Sequence, residues 1–299
     1  MSSVLAGLEE TSGFDARECR GFVGTSAGSI VAAALAAGVD PRTRLGRLPE
    51  QPPLNGGDPF GAASPPSGAR RVLGAAGSLA VGPAASLASM VMNTAAPGGA
   101  LVRRAALARV PRGRRSLSQL AREIERIGVD WDGRLQVAVV ELESGRRVAF
   151  GADGAPEVSV AQAVTASCAI PGVFRPLRFE GRTYVDGGAW SLTNLDLADA
   201  GRGDRVLCLN PTGAVGPRIA SASSAIAPWS RSVAAAEALV LRGRGARVDL
   251  VNPDRASAAA MGPNLMDPRP RAQVIAAGLA QGRALRAGRT GRHPASRAG

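Results

Sequence analysis

A short apolar run, a Gly-x-Ser-x-Gly turn and a run of good helix formers follow one another between residues 19 and 38. We expect Gly24 and Gly28 to flank Ser26 where the backbone bends sharply and packs too closely for a side chain. Residues 27–37 are rich in alanine and favour a helix. The three segments predict a strand, a sharp turn and a helix that hold Ser26 above a sheet, where a serine can act as a nucleophile.

This turn predicts that Ser26 lies at the N-terminus of a helix. The N–H groups and the dipole of a helix N-terminus favour developing negative charge. The Ala27 N–H is therefore the candidate oxyanion donor. The five-residue pattern is short, and Gly and Ser are common in this chain, so an ordinary glycine-rich turn is the alternative.

The rest of the chain limits the groups that could activate Ser26. The chain has one histidine, His293, near the end of a tail rich in Arg and Gly, and it has no lysine. A Ser-His-Asp triad would need that tail residue, and a Ser-Lys pair cannot form. A nucleophilic Ser26 would therefore depend on a carboxylate.

Basic charge is concentrated in two segments. The net charge is +12, and residues 103–115 contain six Arg and residues 281–299 five Arg, both without an acid. Aromatic residues make up only 3% of the chain, so the stacking surfaces of single-strand binders are missing and we expect no nucleic-acid partner. Segment 103–115 predicts peripheral contact with an anionic membrane, and a solvated Arg-rich face is the alternative.

An uncharged stretch covers residues 72–102. Its glycines and prolines interrupt any single membrane-spanning helix. We expect instead two short helices, around 72–81 and 84–95, which form either core or a lid near an apolar site. The first residues have neither the basic nor the apolar segment of a signal peptide, so we expect a cytoplasmic protein.

The three cysteines, Cys19, Cys168 and Cys208, are odd in number and contain no C-x-x-C pair. This spacing argues against a disulfide framework and against a zinc site. With a single histidine in the chain, no metal cluster is expected. We expect three buried thiols in a reducing compartment.

Apolar strands alternate with helical segments along the remaining sequence, which predicts an α/β fold with a mainly parallel sheet and helices on both faces. Capping boxes at 116–119 and 159–162 predict two helix starts. The predicted helices cover residues 3–10, 116–127, 159–169, 229–242 and 270–286. The predicted strands cover residues 19–23, 135–142, 147–150, 183–186, 205–210 and 247–252, with a turn at Ser144 and Gly145.

The carboxylate candidate is Asp186, which is followed by Gly187 and Gly188. On its own, an Asp-Gly pair is common in turns. Its neighbours are Ala-Ser-Cys-Ala-Ile-Pro-Gly-Val-Phe at 166–174, Gly-x-x-Tyr-x-Asp-Gly-Gly at 181–188, Asn194, and a strand ending in Asn-Pro at 210–211. Together with the upstream Gly-x-Ser-x-Gly, these segments closely resemble the patatin-like phospholipases of the bacterial type.

The resemblance is strong over 19–37 and 157–211, moderate over 245–287 and weak over 40–130. It implies a three-layer α/β/α sandwich with a mainly parallel central sheet. The implied domain is a patatin-like acyl hydrolase over 1–287 with a variable cap in 40–130. A disordered basic tail is expected over 288–299.

The resemblance also implies the chemistry. Ser26 would be the nucleophile and Asp186 the general base of a Ser-Asp dyad that hydrolyses acyl esters of lipids. Gly187 and Gly188 would let the base approach Ser26 without obstruction. No cofactor is implied.

Members of the family carry a glycine-rich oxyanion loop between a first strand and a helix like residues 4–10. Neither the strand nor the loop occurs in this sequence, which predicts an N-terminally truncated member with Ala27 as its nearest oxyanion donor. Loss of one such donor costs about 10²–10³ in rate. The alternative to an active hydrolase is therefore a catalytically impaired protein of the same fold that binds lipid or a membrane surface.

Overall fold

The computed structural model describes residues 1–46, 99–214, 223–262, 265 and 267–287. The helices expected around 72–81 and 84–95 and the tail that contains His293 lie outside these ranges. Within them, no helix combines the length and the apolar character that a membrane span requires.

Helices and strands alternate along much of the described chain, and the fold is α/β. The helices are α1 (Ser2–Ser12), α2 (Ala27–Ala36), α3 (Gly99–Ala108), α4 (Ser118–Ile127), α5 (Val160–Ser167), α6 (Ser223–Gly243), α7 (Arg255–Met261) and α8 (Arg271–Ala287). The strands are β1 (Phe22–Gly24), β2 (Leu135–Glu141), β3 (Arg147–Phe150), β4 (Leu177–Phe179), β5 (Arg182–Asp186), β6 (Arg205–Leu209) and β7 (Arg247–Val251). The elements predicted within these ranges are present, although β1 begins three residues later than expected and α6 begins six residues earlier.

The buried strand β2 organises the larger sheet. β3 pairs antiparallel with β2 along one edge, opposite residues 137–140. β1 runs parallel to β2 and places Gly24 opposite Val137, while β5 runs antiparallel and places Asp186 opposite Val139. Because a strand has only two edges, β1 and β5 share the second edge and converge on its middle from opposite directions.

The sheet is mixed, which corrects the expectation of a mainly parallel one. β1–β2 and β6–β7 are parallel pairs, whereas β2–β3, β2–β5 and β4–β5 are antiparallel. For β2–β3 and β4–β5, the physical reason is the shortness of the connection between the two strands. Tight turns at Ser144-Gly145 and Glu180-Gly181 join β2 to β3 and β4 to β5, and Gly145 and Gly181 have φ of 67° and 79°. Turns of this length permit only antiparallel pairing.

The parallel pair β6–β7 forms a second, smaller sheet. Its apolar side packs with α6 in a separate core cluster that includes Cys208, Leu241 and Val248. The larger core surrounds β2 and includes Val137, Val139 and residues of α2 and α5.

The two predicted capping boxes have different outcomes. At the start of α5, the Ser159 hydroxyl accepts the Gln162 N–H at 3.2 Å and the Gln162 side chain accepts the Ser159 N–H at 2.8 Å. The box predicted at 116–119 does not form, because α4 begins one residue later with Leu117 as its N-cap. The Ser116 hydroxyl lies outside the helix and accepts the Ser118 N–H.

Helices α1 and α8 are in backbone contact. A Cβ on Gly7 would lie 2.3 Å from the Leu279 carbonyl oxygen, and a Cβ on Gly282 would lie 2.2 Å from the Val4 carbonyl oxygen. An ion pair between Glu10 and Arg283 joins the same two helices. The N-terminal helix is therefore fixed to the last described helix by glycines that allow close approach.

Substituting one of these glycines tests the contact. Gly282→Ala is expected to lower the free energy of unfolding by about 1–3 kcal/mol, the usual cost of overfilling a packed contact. The control is Gly243→Ala, because a Cβ there meets no atom within 4 Å, and it should change stability by less than about 0.5 kcal/mol. Urea denaturation measures both, and equal stabilities for the two variants would contradict the close approach of α1 and α8.

Candidate active site

Ser26 lies in a strained turn between β1 and α2. Its backbone has φ 51° and ψ −127°, a conformation that residues other than glycine rarely adopt and that costs about 1–3 kcal/mol. A Cβ on Gly24 would lie 2.4 Å from the Ser29 Cα, so only glycine fits where β1 meets the helix. The half-buried Ser26 therefore has the position that the sequence pattern predicts for a nucleophile.

Gly28 is not closely packed, contrary to the expectation from the sequence. A Cβ at this position would meet no atom within 4 Å, and the backbone is that of an ordinary helix. Gly28 lies in the first turn of α2, with its N–H donated to the Thr25 carbonyl at 2.8 Å, and its α-carbon faces open space. The expectation of close packing is correct for Gly24 and wrong for Gly28.

Asp186 ends β5 and is 4% exposed. Its backbone N–H donates to the Ala169 carbonyl at 3.1 Å, and its Oδ1 accepts the Gly188 N–H at 2.7 Å. A Cβ on Gly187 would lie 2.3 Å from the Ala138 carbonyl oxygen. The two glycines therefore have distinct parts: Gly187 lets the chain pass close over β2, and Gly188 donates to the carboxylate.

The side chains of Ser26 and Asp186 meet, although 160 residues separate them in sequence. Burial raises the pKa of Asp186 to about 6, and hydrogen bonds from Ser26 and from the Gly188 N–H partly oppose this rise. The carboxyl group therefore titrates close to neutrality while in contact with the Ser26 hydroxyl. A hydroxyl bonded to such a carboxylate can lose its proton to it.

Ser167 holds the backbone of Ser26 in place. Its fully buried hydroxyl accepts the Ser26 N–H at 2.9 Å and donates to the Ala138 carbonyl at 2.8 Å. The backbone of Ser26 is thereby joined to the middle of β2. Ser167 belongs to the Ala-Ser-Cys-Ala motif, but no local pattern in the sequence reveals a tertiary hydrogen bond of this kind.

Asn194 is a second residue to which sequence reasoning gives no role. It is fully buried and its side chain contacts the chain on both sides of the site, at Thr25 and at Gly187. Its backbone has φ 48°, a region in which asparagine is enriched. The only local feature that marks Asn194 is this positive φ, which is visible in the structure and not in the sequence.

Ala27 and Cys168 lie beside Ser26 and Asp186. Ala27 is the first residue of α2, so its N–H belongs to the first turn, where no intrahelical acceptor exists.

Burial, and to a smaller extent the charge of Asp186, raises the pKa of the Cys168 thiol. Cys168 and Cys208 are buried as expected, whereas Cys19 is only half-buried. No His, Cys, Asp and Glu side chains of the described ranges form a group of three that could hold a metal.

Comparison with known proteins gives one family match, and it covers the part of the chain that contains the candidate site. A family model described as patatin-like phospholipase matches residues 5–199, a range that contains both Ser26 and Asp186 and more than half of the chain. A search of the curated proteins finds no match.

The raised pKa of Asp186 predicts how the free energy of unfolding depends on pH. A carboxyl group whose pKa is higher in the folded state stabilises the fold below its unfolded pKa, near 4, and that stability is lost as the pH rises through about 6. Asp186→Asn cannot ionise, so it should be more stable than wild type at pH 8, by on the order of 1–3 kcal/mol. The difference should vanish at pH 4.

Urea denaturation at the two pH values measures this effect, with Asp204→Asn as the control. A hydrogen bond from the Gly201 N–H and the Arg20 guanidinium lower the pKa of Asp204, so its substitution should reduce stability at pH 8. An Asp186→Asn variant that is less stable than wild type at pH 8 would contradict an unfavourable buried charge.

Proposed function

Because the chain belongs to the patatin-like phospholipase family, we propose that it hydrolyses acyl esters of lipids with Ser26 and Asp186 as a catalytic dyad. The family acts on lipid substrates and its members are generally acyl hydrolases. The observation that carries the assignment of residues is the contact between a serine in a strained turn and a buried carboxyl group.

The first half of the proposed reaction forms an acyl-enzyme. Asp186 takes the proton of the Ser26 hydroxyl as the Ser26 Oγ attacks the ester carbonyl carbon. The negative charge moves to the carbonyl oxygen, which lies near the N-terminus of α2 and the Ala27 N–H. When the tetrahedral intermediate collapses, the carbon–oxygen bond to the alcohol breaks and the departing oxygen takes the proton from Asp186.

The second half releases the fatty acid. A water molecule takes the place of the alcohol and gives a proton to Asp186 as its oxygen attacks the acyl carbon. The bond to the Ser26 Oγ then breaks, and Asp186 returns the proton to that oxygen. A base whose pKa is about 6 is ionised at neutral pH and still a competent acid for the return step.

Two substitutions test the dyad. Ser26→Ala and Asp186→Asn are each expected to lower kcat/KM for a p-nitrophenyl acyl ester by at least about 10³-fold, because a nucleophile and its base act as a unit. Ser26→Ala should also abolish labelling by a fluorophosphonate probe. In the wild type, kcat/KM should fall as the pH drops below about 6, since Asp186 must be ionised to accept the proton.

The matched controls are Ser232→Ala and Asp204→Asn, which change an exposed serine and a carboxylate on a different loop. Both should keep wild-type turnover and labelling. The dyad is wrong if Ser26→Ala or Asp186→Asn retains full turnover. A wild-type chain that binds lipid vesicles but neither hydrolyses the ester nor reacts with the probe would support the impaired lipid-binding alternative.

We also propose that segment 103–115 contacts an anionic membrane. Five of its six arginines are exposed, and Leu101 and Val102, which directly precede the segment, are 70% and 49% exposed. The segment pairs with the chain near the site: the Arg115 N–H donates to the Val173 carbonyl at 3.3 Å, and the Arg175 N–H donates to the Arg115 carbonyl at 2.9 Å. Exposed guanidinium groups beside apolar side chains suit an anionic lipid surface.

Vesicle sedimentation tests this contact. The triple substitution Arg112→Ser, Arg114→Ser and Arg115→Ser should weaken binding to vesicles of phosphatidylglycerol and phosphatidylcholine by at least about 10-fold, given about 1 kcal/mol per arginine near the surface. Vesicles of phosphatidylcholine alone should bind both proteins weakly.

The control removes the same charge from other exposed positions. It carries serine in place of Arg202, Arg247 and Arg255. This variant should bind anionic vesicles nearly as well as wild type. Equal losses in the two triple variants would indicate attraction by net charge alone and would reject a specific membrane contact through 103–115.

A further inference from the structure

Asn194 lies between β5 and β6 with its side chain fully buried. We infer that Asn194 is a positioning residue whose amide holds the two catalytic segments together, so that Ser26 and Asp186 meet in the geometry that acyl transfer requires. This inference rests on the proposed function and deepens it, because it names the side chain that sets the relative position of the two groups.

The Asn194 amide bridges the neighbours of both catalytic residues. Its Nδ2 donates to the Thr25 Oγ1 at 3.0 Å, and Thr25 directly precedes Ser26. The same Nδ2 donates to the Gly187 carbonyl at 3.3 Å, and Gly187 directly follows Asp186. The Thr25 hydroxyl in turn donates to the Thr193 carbonyl at 3.4 Å, so the elbow is attached to this loop in two places.

The orientation of the amide is fixed by its other contacts. The Asn194 Oδ1 accepts from the Arg147 Nη1 at 3.2 Å, and the Ser191 carbonyl is a third acceptor for Nδ2, at 2.6 Å. Because the NH₂ group has two protons for its three acceptors, two of these acceptors share one N–H. Arg147 is itself held by two hydrogen bonds to the Asp196 carboxylate at 2.6 and 2.7 Å. A flipped amide would place its NH₂ group against the guanidinium, where both are donors, so the NH₂ group must face the catalytic segments.

The sheet alone does not supply this link. β1 and β5 both pair with β2 and form no ladder with each other. The strained backbone at Ser26 would relax if it were free to do so. Ser167 holds the Ser26 N–H towards β2, and Asn194 supplies the direct side-chain bridge between the Thr25 side and the Gly187 side of the site.

Two substitutions of Asn194 distinguish the effect of its side-chain amide from that of its backbone conformation. Asn194→Gly removes the side chain and adopts φ 48° without strain. Asn194→Asp keeps the shape and the acceptor for Arg147 but replaces the donor that faces Thr25 and Gly187. For a soluble p-nitrophenyl ester, kcat should fall about 10–100-fold in both variants, because small displacements of reacting groups have effects of this size. KM should change less than about 3-fold.

A conservative pair at Thr25 provides a second measurement if the Asn194 variants do not fold. Thr25→Val removes the acceptor for the amide at nearly constant volume and should lower kcat, whereas Thr25→Ser keeps the hydroxyl and should restore it. Asn210→Ala is the matched control. Asn210 is another buried asparagine, bonded to Ser230 and Asn252, so its loss should lower the melting temperature while leaving kcat per folded molecule unchanged.

The outcomes distinguish the inference from the proposed function. Lower kcat and slower fluorophosphonate labelling in Asn194→Gly, Asn194→Asp and Thr25→Val, with both retained in Thr25→Ser and Asn210→Ala, support a positioning role. An active wild type whose Asn194 variants keep kcat within about 2-fold overturns the inference and leaves the dyad intact. A wild type that neither turns over the ester nor reacts with the probe overturns the proposed function, and the inference with it.

Discussion

The candidate site depends on one edge of a single buried strand, β2. β1 runs parallel to β2 and ends opposite Val137, whereas β5 runs antiparallel to β2 and ends opposite Val139. β3 pairs with the other edge of β2. Only Ala138 of β2 separates the positions opposite the two strand ends. Asp186 is the last residue of β5, and Ser26 follows two residues after the end of β1. Residues 160 positions apart meet because their strands converge on the same three residues of β2.

The convergence of β1 and β5 places Ser26 and Asp186 in energetically unfavourable states. Ser26 has a positive φ. No Arg side chain of the described residues forms an ion pair with the buried Asp186 carboxyl group, so burial disfavours its charged form. The backbone strain at Ser26 and the desolvation of Asp186 fall on the two residues of the proposed dyad, as is common where function opposes stability. The surrounding side chains offset them: Ser167 accepts the Ser26 N–H, Gly188 donates to the carboxylate, and Asn194 joins the two segments.

The sequence predicts the parts of this fold that depend on local chemistry. The strained turn at Ser26 follows from its glycine and helix pattern, and the capping box at Ser159 forms as expected. The same motif at Ser116 fails because the start of α4 shifts by one residue, which tertiary packing decides. The antiparallel pairing of β5 with β2 joins segments distant in sequence, so it too depends on tertiary packing, and the expectation of a mainly parallel sheet is wrong there. The link from Ser26 to Asp186 came from a resemblance, since no local pattern encodes a contact between distant strand ends.

The composition of the chain explains why burial matters for Asp186 as the proposed base. An imidazole titrates near neutrality without help, but the one histidine of this chain is His293, in the basic tail, and lysine is absent. An ordinary aspartate has a pKa near 4 and binds a proton too weakly to take one from a hydroxyl with ease. Burial beneath the turn of Ser26 raises the pKa of Asp186 to about 6, within the range of a histidine. The same desolvation that destabilises the folded protein therefore gives a carboxylate the proton affinity of an imidazole.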